Sequence, residues 1–264
     1  MTKIKLWISD IDGTIMNYDS TYTKRMENLI KKLNSTDVKF VLATGRMFMG
    51  AQFVADKFNI KTPVVCYQGA VVRTKEEILW QALIENNLAR EIINLLRKKQ
   101  LHTNVYNEDV LYVEDDNKRI MKQYCEGRGT TYEVVESFDE IKLTSVAKIL
   151  AIIEDKKIME ETKKELKEKY KGILTIVQSS PIYLEITDKN ASKGNALDFL
   201  KKYWNLSDKE VLASGDQDND IEMLKRAHYK VCVGNNSEKI KKIANYQLKS
   251  VDSDELVDLI ESLI

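Results

Sequence analysis

The chain is short of most residues that mark a special chemistry or environment. Three cysteines (Cys66, Cys125, Cys232) stand far apart among 264 residues, with no Cys-x-x-Cys spacing. That excludes a disulfide framework and argues against a zinc site, leaving reduced thiols of a cytoplasmic protein as the expectation. Two isolated histidines, His102 and His228, shift acid–base chemistry toward carboxylates. Only two prolines and ten glycines exclude collagen-like and low-complexity chains. Neither sign of charge is in excess, with 41 Lys+Arg against 41 Asp+Glu, so the basic footprint of a nucleic-acid binder is missing. No apolar run approaches the ~18 residues of a membrane span. The first apolar run is broken by Asp10, too early for the roughly 7–15 apolar residues of a secretory signal. A soluble globular protein of one large or two modest domains is expected.

What is present has an α/β grammar. Ile4–Ser9 is a short apolar run that ends abruptly in Asp10, Asp12 and Gly13. Thr23–Leu33 carries Met26, Leu29, Ile30 and Leu33 at helical spacing. Val38–Ala43 reads as a strand, Met47–Phe58 as a helix and Pro63–Tyr67 as a third strand closed by Gln68-Gly69. The last third repeats the pattern. Lys193–Trp204 is a helix, Ser207-Asp-Lys-Glu210 matches a capping box, and Val211–Ser214 is a strand running into Gly215-Asp216-Gln217-Asp218-Asn219-Asp220. A helix over about Ile221–Ala227, a strand at Lys230–Val233, and helices at Glu238–Ala244 and Ser253–Ile264 complete it. The last shows an apolar stripe of Leu256, Leu259, Ile260 and Leu263. Such alternation implies βαβ units and a doubly wound parallel sheet.

The middle third differs. Strand-like runs at Val110–Val113, Val146–Ile153, Leu174–Gln178 and Ile182–Ile186 are separated by helices near Leu88–Lys99, Lys118–Glu126 and Lys156–Lys171. The tight connection Gln178-Ser-Ser-Pro181 favours antiparallel hairpins. This predicts a second α/β unit, residues 83–187, inserted into a core formed by 1–82 and 188–264. The Lys/Glu-rich stretch Lys156–Lys171 reads as a solvated helix face. Trp80, Tyr106, Tyr112 and Tyr183 are candidates to line a substrate pocket, with packing as the default.

Ligands of open α/β sheets bind beyond the carboxyl ends of the strands. At those ends lie Asp10, Asp12, Gly13 and Thr14, then Thr44 and Gly45, then Asp216, Asn219 and Asp220, with Lys193 opening a helix between the pieces. Two unit charges ~4 Å apart repel by about 4 kcal/mol at an effective dielectric near 20, so four gathered carboxylates call for a cation. Hard oxygen ligands without His or Cys select Mg²⁺. Together with Lys193 and the hydroxyls of Thr14 and Thr44, they describe a site for a phosphate. Asp10, ending a buried strand, is the best-placed nucleophile and would give an aspartyl-phosphate. Asp12, two residues on, faces the same side in extended geometry and could serve as acid and then base. Gly13 lets the chain turn away from the phosphate. Taken singly, Asp10 and Asp12 could be turn residues, Thr44-Gly45 a helix entry and Lys193 a surface lysine. Arg46 could pair with an acid or reach the substrate.

Asp10-Ile-Asp12-Gly13-Thr14, Thr44-Gly45-Arg46, Ser192-Lys193-Gly194 and Gly215-Asp216-x-x-Asn219-Asp220 resemble, in order and spacing, the four motifs of the haloacid-dehalogenase superfamily. The long insert between the second and third motifs, with the later Cys232-Val-Gly234-Asn235, is similar to its Cof-like phosphatases. The resemblance spans essentially the whole chain. It implies a Rossmann-like core with an inserted α/β cap, and a phosphomonoesterase acting on small phosphorylated metabolites. It also implies Asp10 as phosphorylated nucleophile and Mg²⁺ ligand, and Asp12 as acid/base that binds Mg²⁺ through its carbonyl. Lys193 would neutralise the phosphate, and Asp216 and Asp220 would belong to the metal shell. Thr44, Gly45, the backbone near Ile11 and Asn219 would hold phosphoryl oxygens. Two positions depart from the family pattern. Gln68-Gly69-Ala70 stands where Asn-Gly-Ala is common, and Asn190 stands where Gly is often found, with a left-handed turn expected at Asn190. A sugar phosphomutase and a non-enzymatic, Asp-phosphorylated signalling module share some of these parts. No nucleic-acid or membrane partner is expected, and a monomer is the default.

Overall fold

A computed structural model describes residues 3–125, 129–234 and 237–264. Asn235 of the Cys-Val-Gly-Asn run and Glu126, the expected end of a helix, lie outside the described residues. The chain divides into two compact units, Met1–Trp80 with Ser192–Ile264, and Gln81–Ala191.

In the first unit five parallel strands lie in the order Tyr246–Leu248, Tyr229–Val233, Val211–Gly215, Leu6–Ser9, Lys39–Leu42. Leu6–Ser9 and Val211–Gly215 are buried along their whole length, as strands of a parallel sheet covered on both faces must be. The chain passes from Leu6–Ser9 to Lys39–Leu42 on one side, while the much later Val211–Gly215 pairs on the other, with Ser9 opposite both Leu42 and Ser214. The topological switch point therefore lies between the first strand and Val211–Gly215. Helix Lys24–Leu33 buries Met26, Leu29, Ile30 and Leu33, and the Thr23 hydroxyl caps it by accepting from the Met26 amide. The closing helix, Glu255–Leu263, buries Val257 with Leu256, Ile260 and Leu263, while the expected Leu259 is only half-buried. The expected third strand is the shorter Val64–Cys66. It joins the parallel sheet by one bridge, Val65 to Ala43, and then folds back antiparallel onto Val71–Arg73, because the chain reverses at Tyr67–Gly69.

The second unit carries a six-stranded sheet ordered Leu174–Ser180, Tyr183–Asp188, Val146–Ile152, His102–Asn107, Val110–Val113, Glu133–Val134. The hairpin expected around Gln178–Pro181 joins the first two of these strands. Helices Asn86–Lys98 and Lys156–Lys169 contribute Ile92, Ile93, Leu96, Met159 and Leu166 to a core with Val105, Ile149 and Ile186. The turn before the return to the first unit forms without a left-handed residue at Asn190, contrary to expectation. Instead the Asp188 carboxylate accepts the Asn190 amide at 2.8 Å and the Asp188 carbonyl accepts that of Ala191. The four aromatic candidates take part in packing. Trp80 stacks on Phe199, Tyr183 meets the edge of Tyr124, Tyr106 shares a hydroxyl contact with Tyr124, and Tyr112 lies against the apolar core.

Candidate active site

The first strand delivers Asp10 at the carboxyl end of the sheet, where its amide donates to the Ser214 carbonyl at 2.9 Å. The chain then turns tightly. The Ile11 carbonyl accepts the amides of Thr14, Ile15 and Met16, and Gly13 takes φ +84°. A Cβ on Gly13 would sit 2.3 Å from Asp216 Oδ2, so the turn needs glycine for both conformation and space. Across the switch point Val211–Gly215 delivers Asp216, and the short helical turn Asp218–Asp220 returns Asp220 beneath it. Carboxylate oxygens of Asp10, Asp216 and Asp220 all lie within 4.8 Å of one another, and all three residues are buried.

Lys193 sits at the first position of helix Lys193–Tyr203, capped by Ser192. Its ammonium is fully buried and donates to Asp10 Oδ1 and Asp220 Oδ1, each at 2.6 Å. Asp220 Oδ2 accepts the amides of Asp216 and Gln217 at 3.0 and 3.1 Å. Both Asp220 oxygens are thus engaged by the protein. With all three carboxylates ionised against one ammonium, this buried cluster carries a net of two negative charges. Burial, with the neighbouring carboxylates Asp220, Asp216 and Asp12, holds the Asp10 carboxyl well above its ordinary range although Lys193 works the other way. Asp216 is raised by burial and by Asp220. Burial alone would depress Lys193, but Asp10 and Asp220 outweigh it and keep the ammonium charged. The donor set is all oxygen and two charges short of neutral, which suits a divalent hard cation such as Mg²⁺.

The remaining candidates gather around the same rim. Thr44, buried after strand Lys39–Leu42, donates its amide to the Val65 carbonyl, and its hydroxyl accepts the Arg46 amide at 3.1 Å. Arg46 grips Asp12 with two bonds, Nε to Oδ2 at 2.9 Å and Nη2 to Oδ1 at 2.6 Å. Of the two roles open to Arg46, the structure displays the pairing with an acid. Asn219 donates Nδ2 to Gln68 Oε1 at 2.8 Å. Thr14 lies 3.4 Å from Asp216 Oδ1.

Two contributors escape sequence reasoning. The Tyr18 hydroxyl donates to Asp216 Oδ2 at 2.5 Å, and Gln217 Nε2 donates to both that carboxylate oxygen and the tyrosine oxygen, at 3.0 and 3.1 Å. Burial and the Asp216 carboxylate push the Tyr18 hydroxyl above its ordinary value, so it stays a donor. Tyr18 and Asp216 are 198 positions apart, and a tyrosine in a polar turn gives no local signal. Gln217 could have been suspected from its place inside the acidic motif.

Residues 7–260 match the family model described as haloacid dehalogenase-like hydrolase, and the chain belongs to that family. It is a hydrolase of the phosphatase type, with the α/β core and inserted cap of that family. A putative phosphatase of Haemophilus influenzae is 30% identical over 260 residues, 97% of each chain. The 5-amino-6-(5-phospho-D-ribitylamino)uracil phosphatase YbjI of Escherichia coli is 24% identical, covering 99% of this chain and 96% of its own. The crystal structure of TM0651 from Thermotoga maritima aligns with a TM-score of 0.87 at 29% identity, over 100% of this chain and 98% of that one.

Proposed function

We propose that the protein is an Mg²⁺-dependent phosphatase that hydrolyses phosphate monoesters of small metabolites by way of a phosphoryl group carried on Asp10. The observation behind this reading is the buried group of Asp10, Asp216 and Asp220 around Lys193. Asp10, Asp216 and the Asp12 carbonyl would hold Mg²⁺. Asp220, whose oxygens already serve Lys193 and two amides, would orient that shell. Bound there, Mg²⁺ supplies the positive charge that lets an anionic carboxylate approach an anionic phosphate.

The chain's own residues divide the remaining work. Lys193 occupies Asp10 Oδ1, which leaves Oδ2 as the attacking oxygen. As the Asp10 oxygen–phosphorus bond forms, the ester oxygen–phosphorus bond breaks, and Asp12 gives its proton to the departing alkoxide. Asp12 then takes a proton from water as the water oxygen bonds to phosphorus. The Asp10 oxygen–phosphorus bond breaks, releasing orthophosphate and restoring the carboxylate. Arg46 holds Asp12 in place and must yield one of its two bonds for Asp12 to meet the leaving oxygen. The Thr44 hydroxyl, the Gly45 amide, the backbone near Ile11 and Asn219 would bind phosphoryl oxygens.

Residues 83–187 would act as the cap that reads the leaving group, against a core of 1–82 and 188–264. The activity named for the E. coli relative supports phosphorylated polyols as first candidates, with sugar phosphates, nucleotides and cofactor phosphates beside them. Cys66 and Cys232 are buried and form no disulfide, which supports a cytoplasmic location. The test is a phosphate-release panel with and without Mg²⁺, alongside Asp10→Asn. Wild type should release phosphate only with the metal, and Asp10→Asn should fold normally and turn over at background rate. Near-normal release by that variant would refute the assignment. A sugar bisphosphate in the panel tests for phosphate transfer in place of hydrolysis.

A further inference from the structure

The surroundings of Gln68 give it a specific task. The backbone at Tyr67 and Gln68 is left-handed at two consecutive non-glycine residues, φ 53° and 59°. Such conformations are costly and persist where the neighbourhood over-determines them. Here the Tyr67 amide donates to the Arg46 carbonyl at 2.8 Å and the Gln68 amide to the Thr44 carbonyl at 3.1 Å, so the turn is tied to Thr44-Gly45-Arg46 on both sides. The result aims the Gln68 side chain across the site. Its Oε1 accepts Asn219 Nδ2 at 2.8 Å, and its Nε2 lies 2.5 Å from the point a Cβ on Gly45 would occupy. Asn219 Oδ1 is buried with no hydrogen-bond partner among the described residues, so the bond to Gln68 is the contact that orients this amide. The second proton on Asn219 Nδ2 remains for a ligand oxygen.

We propose that Gln68 is a positioning residue of the phosphate site. Its side-chain amide ties Asn219 to the Thr44-Gly45 turn, so that donors from two separate strand ends close on one phosphoryl group together. Asparagine, one methylene shorter, would not span the same gap from the same backbone. This inference rests on the phosphatase reading above.

The test uses the full-length Mg²⁺-loaded enzyme and inorganic phosphate as the probe, with binding measured by calorimetry and turnover on whichever ester wild type hydrolyses. Gln68→Ala should weaken phosphate binding about tenfold, the loss expected for one misdirected donor to an anion, and should raise KM more than it lowers kcat. Gln68→Gly should weaken phosphate equally while unfolding at the same or higher urea concentration, since glycine relieves the left-handed turn. Asn219→Ala should make a further Gln68→Ala nearly silent, because the two act through one contact. Phosphate affinity within twofold of wild type in Gln68→Ala, or fully additive losses in the double variant, overturns the proposal. A wild type that neither binds phosphate nor hydrolyses any ester removes the phosphatase reading itself, which separates the two failures.

Discussion

Replacing Lys193 by methionine keeps side-chain bulk and removes the ammonium, which makes it the sharpest probe of the buried charge cluster. The ammonium lies 2.6 Å from one oxygen each of Asp10 and Asp220 and is wholly shielded from solvent. At an effective dielectric near 20, each contact corresponds to about 6 kcal/mol of Coulomb attraction, a gross figure that desolvation of the three groups largely offsets. Removing one partner of a buried pair leaves the desolvated carboxylates uncompensated and costs about 3–5 kcal/mol. That loss should appear in urea unfolding at neutral pH without Mg²⁺, followed by the fluorescence of the buried Trp7. The pH dependence has a definite sign. Asp10 and Asp216 titrate above their unfolded values, so the native state binds more protons and stability falls as pH rises from the ordinary carboxylate range through the raised one. Lys193→Met should steepen that fall and lose less stability in acid, while Mg²⁺ should recover part of the difference. Its kcat should drop to near background. A variant as stable as wild type at neutral pH without Mg²⁺, and retaining more than a tenth of wild-type turnover when Mg²⁺ is supplied, would mean that Lys193 does not compensate the cluster.

Two other perturbations test separate parts of the molecule. Tyr18→Phe removes the donor that fixes Asp216 Oδ2, and Mg²⁺ affinity measured by calorimetry should fall about tenfold with little change in stability; an unchanged affinity would make Tyr18 incidental. In the inserted unit the ammonium of Lys148 lies 3.3 Å from Glu185, both almost fully shielded, so Glu185→Ala should destabilise by about 3 kcal/mol or more, whereas Lys148→Met with Glu185→Leu should recover most of it; equal losses in the single and double variants would count against pairing as the cause.

The site was legible in the sequence because its parts sit at strand ends, where a short apolar run stops at an acid or a hydroxyl. Asp10 after Leu6–Ser9, Thr44 after Lys39–Leu42 and Asp216 after Val211–Gly215 each stand at or just past the end of such a run. What the sequence concealed lies in pairings between distant side chains. That Asp12 is held by Arg46, that Asp220 spends both oxygens within the protein, and that Tyr18 reaches Asp216 all depend on closure of the sheet. In the inserted unit the central strand His102–Asn107 had no signal of its own. Its residues look polar because Asn107 is used as a staple, accepting the amides of Thr144 and Ser145 and donating to the Lys142 carbonyl. Polar side chains buried within a strand erase the alternation by which strands are recognised. Asn190 fails differently, since a carboxylate-capped turn at Asp188 does the work expected of a left-handed residue.

The meeting of Asp10 with Asp216 requires that the first strand and Val211–Gly215 pair in one register, and a buried chain of hydroxyls beneath the acids pins it. Trp7 Nε1 donates to Ser214 Oγ at 2.8 Å, Ser214 Oγ donates to Ser9 Oγ at 2.8 Å, and Ser9 Oγ donates to the Asp10 carbonyl at 2.7 Å. All three residues are fully buried, so no water replaces a lost partner. A shift of one residue would turn every side chain of the strand to the opposite face and carry Asp10 away from the cluster. Ser214→Ala keeps the backbone ladder and strands the Trp7 N–H, at a cost of about 1–3 kcal/mol for one unsatisfied buried donor. In a Trp7→Phe background that donor no longer exists, so the same substitution should cost markedly less. The cycle therefore separates the hydrogen bond from the loss of a small side chain. If Ser214→Ala costs the same in both backgrounds, the hydroxyl chain is not what couples the two ends of the polypeptide, and the backbone ladder alone holds the acids together.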